Sequence, residues 1–173
     1  SISGSKEIGV TELGYRIGPR INAAGRTGAS DLGVRLLTSN NEDEVLAISE
    51  RLNNLNKQRQ NIEETVLFEA INNVDNNIAN KKLNTIPNSI IVSGEGWHLG
   101  VLGIVASRLK DKYYRPSFVI SSSEGKLTGS ARSISGIDLG KLIIKAVNSN
   151  LLITGGGHKM AAGFSLNDNT FEK

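Results

Sequence analysis

A chain of 173 residues with 38 % hydrophobic content and few aromatics suffices for one domain of ordinary size, or a domain with an appendage, whose core is built on Ile, Leu and Val. The net charge of +3 is mildly basic, compatible with a polyanionic partner without demonstrating one. The absence of cysteine excludes disulfides and thiolate metal sites, and no apolar run approaches the roughly 20 residues a membrane helix needs.

Residues 1–35 are glycine-rich and carry Arg16, Arg20, Arg26 and Arg35. Gly18-Pro19 predicts a turn. Asn22-Ala23-Ala24-Gly25-Arg26 uses small residues where something large must approach. A guanidinium fork matches phosphate oxygens, so Arg20 and Arg26 are candidate phosphate ligands, although a single arginine in a linker is more often a surface residue. The segment is expected to be mobile or to pack on a neighbour, with Ser30 or Asp31 capping a short helix through Leu36 and Leu37.

Residues 42–80 read as one long helix. Asn40 or Asn41 offers the cap, and Glu42, Asp43 and Glu44 place negative charge on the first turn. Val45, Ile48, Leu52, Leu55, Ile62 and Val66 follow three-four spacing, continued by Ile71, Val74 and Ile78. At 1.5 Å per residue such a helix reaches roughly 55–60 Å, longer than a compact domain, and is expected to bridge two bodies. A dimerising coiled coil is the alternative, weakened by Asn53, Asn54 and Asn56.

From residue 88 the pattern is α/β. Ser89–Val92 predicts a strand buried on both faces. A turn at Gly94–Gly100 leads to a helix from Val101 to Tyr113, and strands follow at Arg115–Ile120 and Lys126–Ser133. Asp138 caps a helix to about Asn148. Leu151–Ile153 predicts a strand delivering a glycine loop, Gly155-Gly156-Gly157, with a last strand at Ala162–Leu166 and a turn at Asn167-Asp168-Asn169. The expected fold is thus a small mixed sheet flanked by helices and preceded by a long connecting helix.

Three glycines beside His158 and Lys159 suggest bare backbone against a ligand, because such a loop can aim successive N–H groups at one anion. The bland alternative is a flexible turn. Ser130 and Arg132 share one face of their strand and together suit a phosphate. His98, beside Trp97 at a helix mouth, is a candidate donor, although such a histidine is more often a cap and such a tryptophan more often core. No cluster of carboxylates and histidines suited to a metal is apparent, so no metal-ligating residue is proposed from the sequence.

Gly155–His158 followed by Ala161-Ala162-Gly163-Phe164 resembles the signature of the DHHA1 domain, the C-terminal half of DHH-superfamily phosphoesterases. Gly18–Arg26, Gly94–Leu109 and Gly129–Ser133 resemble, within that superfamily, the RecJ family of single-strand-specific 5′→3′ DNA exonucleases of recombination and repair. The resemblance implies the end of a DHH domain or linker over 1–38, the connecting helix over 39–84 and the DHHA1 domain over 85–173. It also implies that Mn²⁺ or Mg²⁺ belongs to a DHH domain whose motifs do not occur here, and that an oligonucleotide-binding fold follows. The chain is accordingly expected to be an inactive piece of a longer cytoplasmic enzyme with single-stranded DNA as its partner. By analogy Gly155, Gly156, Gly157 and a catalytic His158 face the scissile phosphate. Ser130 and Arg132 hold phosphate with help from Arg26, while His98, Arg20 and Lys159 are further candidates. A phosphodiesterase for short oligoribonucleotides or cyclic dinucleotides is the alternative within the superfamily.

Overall fold

The computed structural model describes residues 8–26, 29–80, 86–123 and 125–167. The predicted turn at Asp168-Asn169 and the expected boundary at residues 84 and 85 lie outside them. The chain divides into two compact units, Ser1–Ile62 and Glu63–Lys173.

The first unit is helical. A short α1 (Val10–Glu12) runs through a π turn (Leu13–Ile17) into α2 (Gly18–Arg26), and α3 (Asp31–Thr38) follows. The turn predicted at Gly18-Pro19 is therefore helix. Proline lacks an N–H and its ring crowds the carbonyl one turn back. The π turn widens the backbone just before it, with the Gly18 N–H reaching the Leu13 carbonyl. A Cβ on Gly18 would stand 2.9 Å from that carbonyl oxygen, so glycine closes the turn. Ala23 and Ala24 are fully buried, and Ala24 packs with Leu32, Ile48 and Leu52. The described part of residues 1–35 thus packs through Ala24 and Leu32 on the start of the long helix.

The long helix is α4 (Glu42–Asn80), its first 21 residues in the first unit and the rest in the second. Asn41 caps it, Oδ1 accepting the Glu44 N–H at 3.1 Å. The Glu44 carboxylate accepts from Ser39 Oγ and Arg35 Nη2, both at 2.6 Å. These two donors hold its carboxyl below the usual range. The buried stripe runs Ile48, Leu52, Asn56, Arg59, Glu63, Val66, Ala70, Val74. Helical period, not side-chain type, carries it through three polar residues where the sequence suggested Leu55 and Ile62. Arg59 donates to Asn56 Oδ1, and Glu63 pairs with Arg108 at 3.5 Å.

In the second unit, β1 (Ile90–Glu95), α5 (Leu99–Tyr113), β2 (Ser117–Ser123), β3 (Lys126–Arg132), α6 (Leu139–Asn148), β4 (Thr154–His158) and β5 (Ala161–Asn167) follow in turn. They build one sheet in the order β1-β2-β3-β5-β4, parallel only at β1-β2. This is the expected mixed sheet flanked by helices. The second half of α4 is fastened to it by Asn73 Nδ2 to the Ser93 carbonyl (3.1 Å), Trp97 Nε1 to Glu69 (2.7 Å) and Tyr113 Oη to Asp75 (3.1 Å). Burial first, and Asp75 second, push the Tyr113 hydroxyl up to about 12.

Two sequence expectations fail here. Ile91 is 54 % exposed, because β1 is an edge strand and the helix on the Ile91 face, α6, lies over β4 and β5 at the other end of the sheet. Leu151–Ile153 is not a strand. The Leu151 and Leu152 amides turn back to the Ala146 carbonyl to close α6, around Asn150 at φ 56°.

Candidate nucleic-acid interface

Alternation along the strands sorts their residues onto two faces. One face carries Phe118, Ile120, Leu127, Ala131, Ala162, Phe164 and Leu166, and α6 covers part of it with Leu139 and Ile143. On the other face, α5 lies over β2 and β3. Beyond α5, the register of β3, β5 and β4 sets out two rows. One is Arg132, Ala161, His158; the next is Ser130, Gly163, Gly156. Two strand spacings, about 9–10 Å, separate the Arg132 and His158 backbones. Gly156, Gly163 and His158 are exposed and Ser130 and Arg132 half-buried, so within this unit the rows form a shallow floor without bulky side chains.

Arg132 Nη1 donates to Ser130 Oγ at 3.3 Å and to the Ala131 carbonyl at 2.9 Å. The guanidinium is seated against α5 at Gly103, where a Cβ would stand 2.7 Å from Nη2 and 3.1 Å from Ser130 Oγ. A glycine inside a helix weakens it, and here it makes room for an arginine. Sequence reasoning missed Gly103 as a site residue. Its only signal was an unexplained glycine within the helical pattern.

The glycine loop is corrected by the structure. Gly155–Gly157 belong to β4, whose other edge pairs with no strand among the described residues. Successive strand amides point to opposite edges, so three of them do not converge on one anion. The three glycines also differ. A Cβ on Gly155 would meet Ile143 Cγ2 at 2.5 Å, and one on Gly157 the Ala161 carbonyl oxygen at 2.3 Å. Both lie on the α6 face. A Cβ on Gly156 meets nothing within 4 Å and opens onto the floor.

The two histidines share one arrangement. His158 Nδ1 accepts the Met160 N–H at 3.3 Å, and His98 Nδ1 accepts the Gly100 N–H at 3.1 Å. Acceptance at Nδ1 leaves the ring proton on Nε2 as a donor. His158 stands at the end of the floor, before the exposed Lys159 in the β4–β5 turn. His98 is the N-cap of α5. Trp97 is core, 5 % exposed, its ring lying over Gly94. The structure thus brings Ser130, Arg132, Gly156 and His158 onto one face, with Lys159 at its end. Gly155 and Gly157 support that floor from behind. Arg20 and Arg26 belong to the first unit. Arg20 is engaged there by the Arg16 carbonyl (2.6 Å) and Asn53 Oδ1 (3.2 Å), while Arg26 is exposed at the end of α2. Among the described residues no group of three Asp, Glu or His is arranged to hold a metal ion, and no helix is long and apolar enough to cross a membrane.

The DHHA1 domain matches residues 66–173. The single-stranded-DNA-specific exonuclease RecJ of Haemophilus influenzae is 41 % identical over 164 residues, covering 93 % of this chain and 28 % of that protein. RecJ of Escherichia coli is 33 % identical over 171 residues, covering 97 % and 29 %. The crystal structure of RecJ from Thermus thermophilus with Mg²⁺ superposes with a TM-score of 0.75 at 34 % identity, covering 94 % of this chain and 24 % of that one. The same protein has been crystallised with Mn²⁺. The chain thus spans under a third of the length of these curated relatives. It belongs to the DHHA1 domain family and is similar to the RecJ exonucleases along nearly its whole length.

Proposed function

We propose that this chain is the nucleic-acid-phosphate-binding part of a RecJ-like 5′→3′ exonuclease for single-stranded DNA, serving recombination and repair. The observation that carries the reading is the register of β3, β5 and β4, which sets a hydroxyl, a guanidinium and an imidazole donor around a floor of glycine. Ser130 and Arg132 grip a phosphate through charge-assisted hydrogen bonds. The open backbone at Gly156 and Gly163 lets the strand approach closely, and His158 Nε2–H donates to a phosphodiester oxygen as charge develops on it. Arg26 is a further phosphate ligand. Residues 1–38 complete a DHH domain and linker, 39–84 connect, and 85–173 form the DHHA1 domain. Mn²⁺ or Mg²⁺, the ions with which RecJ of Thermus thermophilus was crystallised, is assigned to the DHH domain, which supplies the activated water. An oligonucleotide-binding fold completes the whole protein, which works in the cytoplasm.

The test is fluorescence anisotropy with a 3′-labelled single strand. This chain is expected to bind weakly, with log affinity falling as log salt rises by about 0.7 per phosphate contacted. It is expected to leave the strand intact in Mn²⁺. Salt-independent binding, or robust degradation by the chain alone, contradicts the proposal.

Gly103→Ala separates positioning from folding. The new methyl displaces the far end of a flexible side chain, not backbone. Alanine also raises helix stability by about 0.8–1 kcal/mol relative to glycine. The melting temperature is therefore expected to hold or rise while strand affinity falls several-fold. A fall in both would mean that Gly103 serves packing alone.

A further inference from the structure

A second feature lies on the α5 face, next along β3 from the Ser130–Arg132 rows. At the C-terminal ends of the parallel strands β1 and β2, where α5 begins, there is a cleft of about 430 Å³. Its size is that of a small-molecule site. Gly96–Leu99 form one wall, and Ser121, Ser123, Lys126 and Thr128 the other. By alternation these four side chains share the face on which α5 lies, whereas Glu95 falls on the opposite face.

Three properties point to an anion. The N-terminal end of a 15-residue helix contributes the positive end of its dipole, with the Gly100 and Val101 amides engaged by His98 Nδ1 and the His98 carbonyl. His98 is exposed and, with Nδ1 engaged by the Gly100 N–H, offers Nε2–H as a donor. Lys126 supplies a full charge. The independent observation is Ser121. It is 2 % exposed, and its Oγ has no hydrogen-bond partner among the described residues. A buried hydroxyl without a partner is costly, and a ligand oxygen entering the cleft that Ser121 lines would satisfy it.

We infer that this cleft binds the phosphoryl group of a nucleotide, through Ser121, Lys126 and His98 at the positive end of the α5 dipole. The identity of the ligand as a nucleotide rests on the proposed function; the anion site does not. Along β3, Thr128 and Arg132 are four residues apart, about 13 Å. A bound strand therefore reaches the cleft with a different phosphate from the one held at Arg132. A free nucleotide presents the same chemistry.

The experiment titrates this chain with inorganic phosphate, with dAMP and with a 3′-labelled single strand, following backbone amide shifts and anisotropy. Saturable shifts are expected at residues 98–100, 121, 126 and 128. Lys126→Gln is expected to weaken dAMP about tenfold. Ser121→Ala is expected to weaken it several-fold without lowering the melting temperature, since it removes an unpartnered hydroxyl. Loss of strand affinity in the same variants assigns the phosphate to the strand, and loss for dAMP alone assigns it to a free nucleotide. No shifts at the cleft, or both variants binding as tightly as the parent, overturns the inference. If the strand still binds through Arg132 in that case, the proposed function survives it. Phosphate binding at the cleft without any strand binding has the opposite meaning.

Discussion

Arg132→Ala is expected to weaken single-strand binding by about 10- to 100-fold, the equivalent of losing one charge-assisted contact of about 1.5–3 kcal/mol. Arg132 is half-buried between β3 and α5, with Nη1 already turned to Ser130 Oγ. A guanidinium held in place by its neighbours spends little entropy on binding, so its removal should affect affinity more than that of an exposed lysine such as Lys159. The slope of log affinity against log salt should fall by about 0.7, the share of one phosphate on a single strand. Arg132→Lys retains the charge but loses the planar fork. Its salt slope should therefore match the parent while its affinity lies between parent and alanine. Anisotropy at three or four salt concentrations measures both quantities. An alanine variant with unchanged affinity and slope would place the phosphate contact elsewhere.

Local chemistry was legible in the sequence, and relations between elements were not. The acidic first turn and a cap at Asn40 or Asn41 placed the start of α4, and Asp138 marked the start of α6. Period-two alternation alone put Ser130 and Arg132 on one face, a relation between neighbours in one strand. Gly156 and His158 joined them only through the β3-β5-β4 register, a long-range pairing with no local signal. For the same reason Gly155, Gly156 and Gly157 looked equivalent. Which of them face α6 follows from that register. The π turn before Pro19 was hidden because Gly-Pro is ordinarily a turn signal, and the widening of a helix leaves no trace in composition. Ile91 was misjudged because an apolar run does not reveal whether its strand lies at the sheet edge.

Separate alanine replacements of the three glycines should split stability from binding. In Gly157→Ala the methyl would stand 2.3 Å from the Ala161 carbonyl oxygen and 2.6 Å from Ala162 Cα, both backbone atoms of the paired strand. Neither yields without moving β5, so a loss at or above the usual overpacking range of about 1–3 kcal/mol is expected. Gly155→Ala meets Ile143 Cγ2 at 2.5 Å, Phe164 Cβ at 3.2 Å and the Gly163 carbonyl oxygen at 3.3 Å. It is enclosed by core on one side and backbone on the other, and a loss within the same range is expected. Gly156→Ala has open space and no positive φ. It should hold or raise stability by about 0.4–1 kcal/mol, because alanine narrows the unfolded ensemble. Yet its methyl stands on the floor where a phosphodiester backbone approaches, and a leucine there fills more of it. Gly156→Ala should therefore weaken strand binding with the melting temperature intact, and Gly156→Leu should weaken it further. Denaturant midpoints for the series, read beside anisotropy with the 3′-labelled strand, test both halves. Equal destabilisation by all three alanines would mean that the glycines share one packing role. Parent-like binding by Gly156→Leu would remove Gly156 from the nucleic-acid surface.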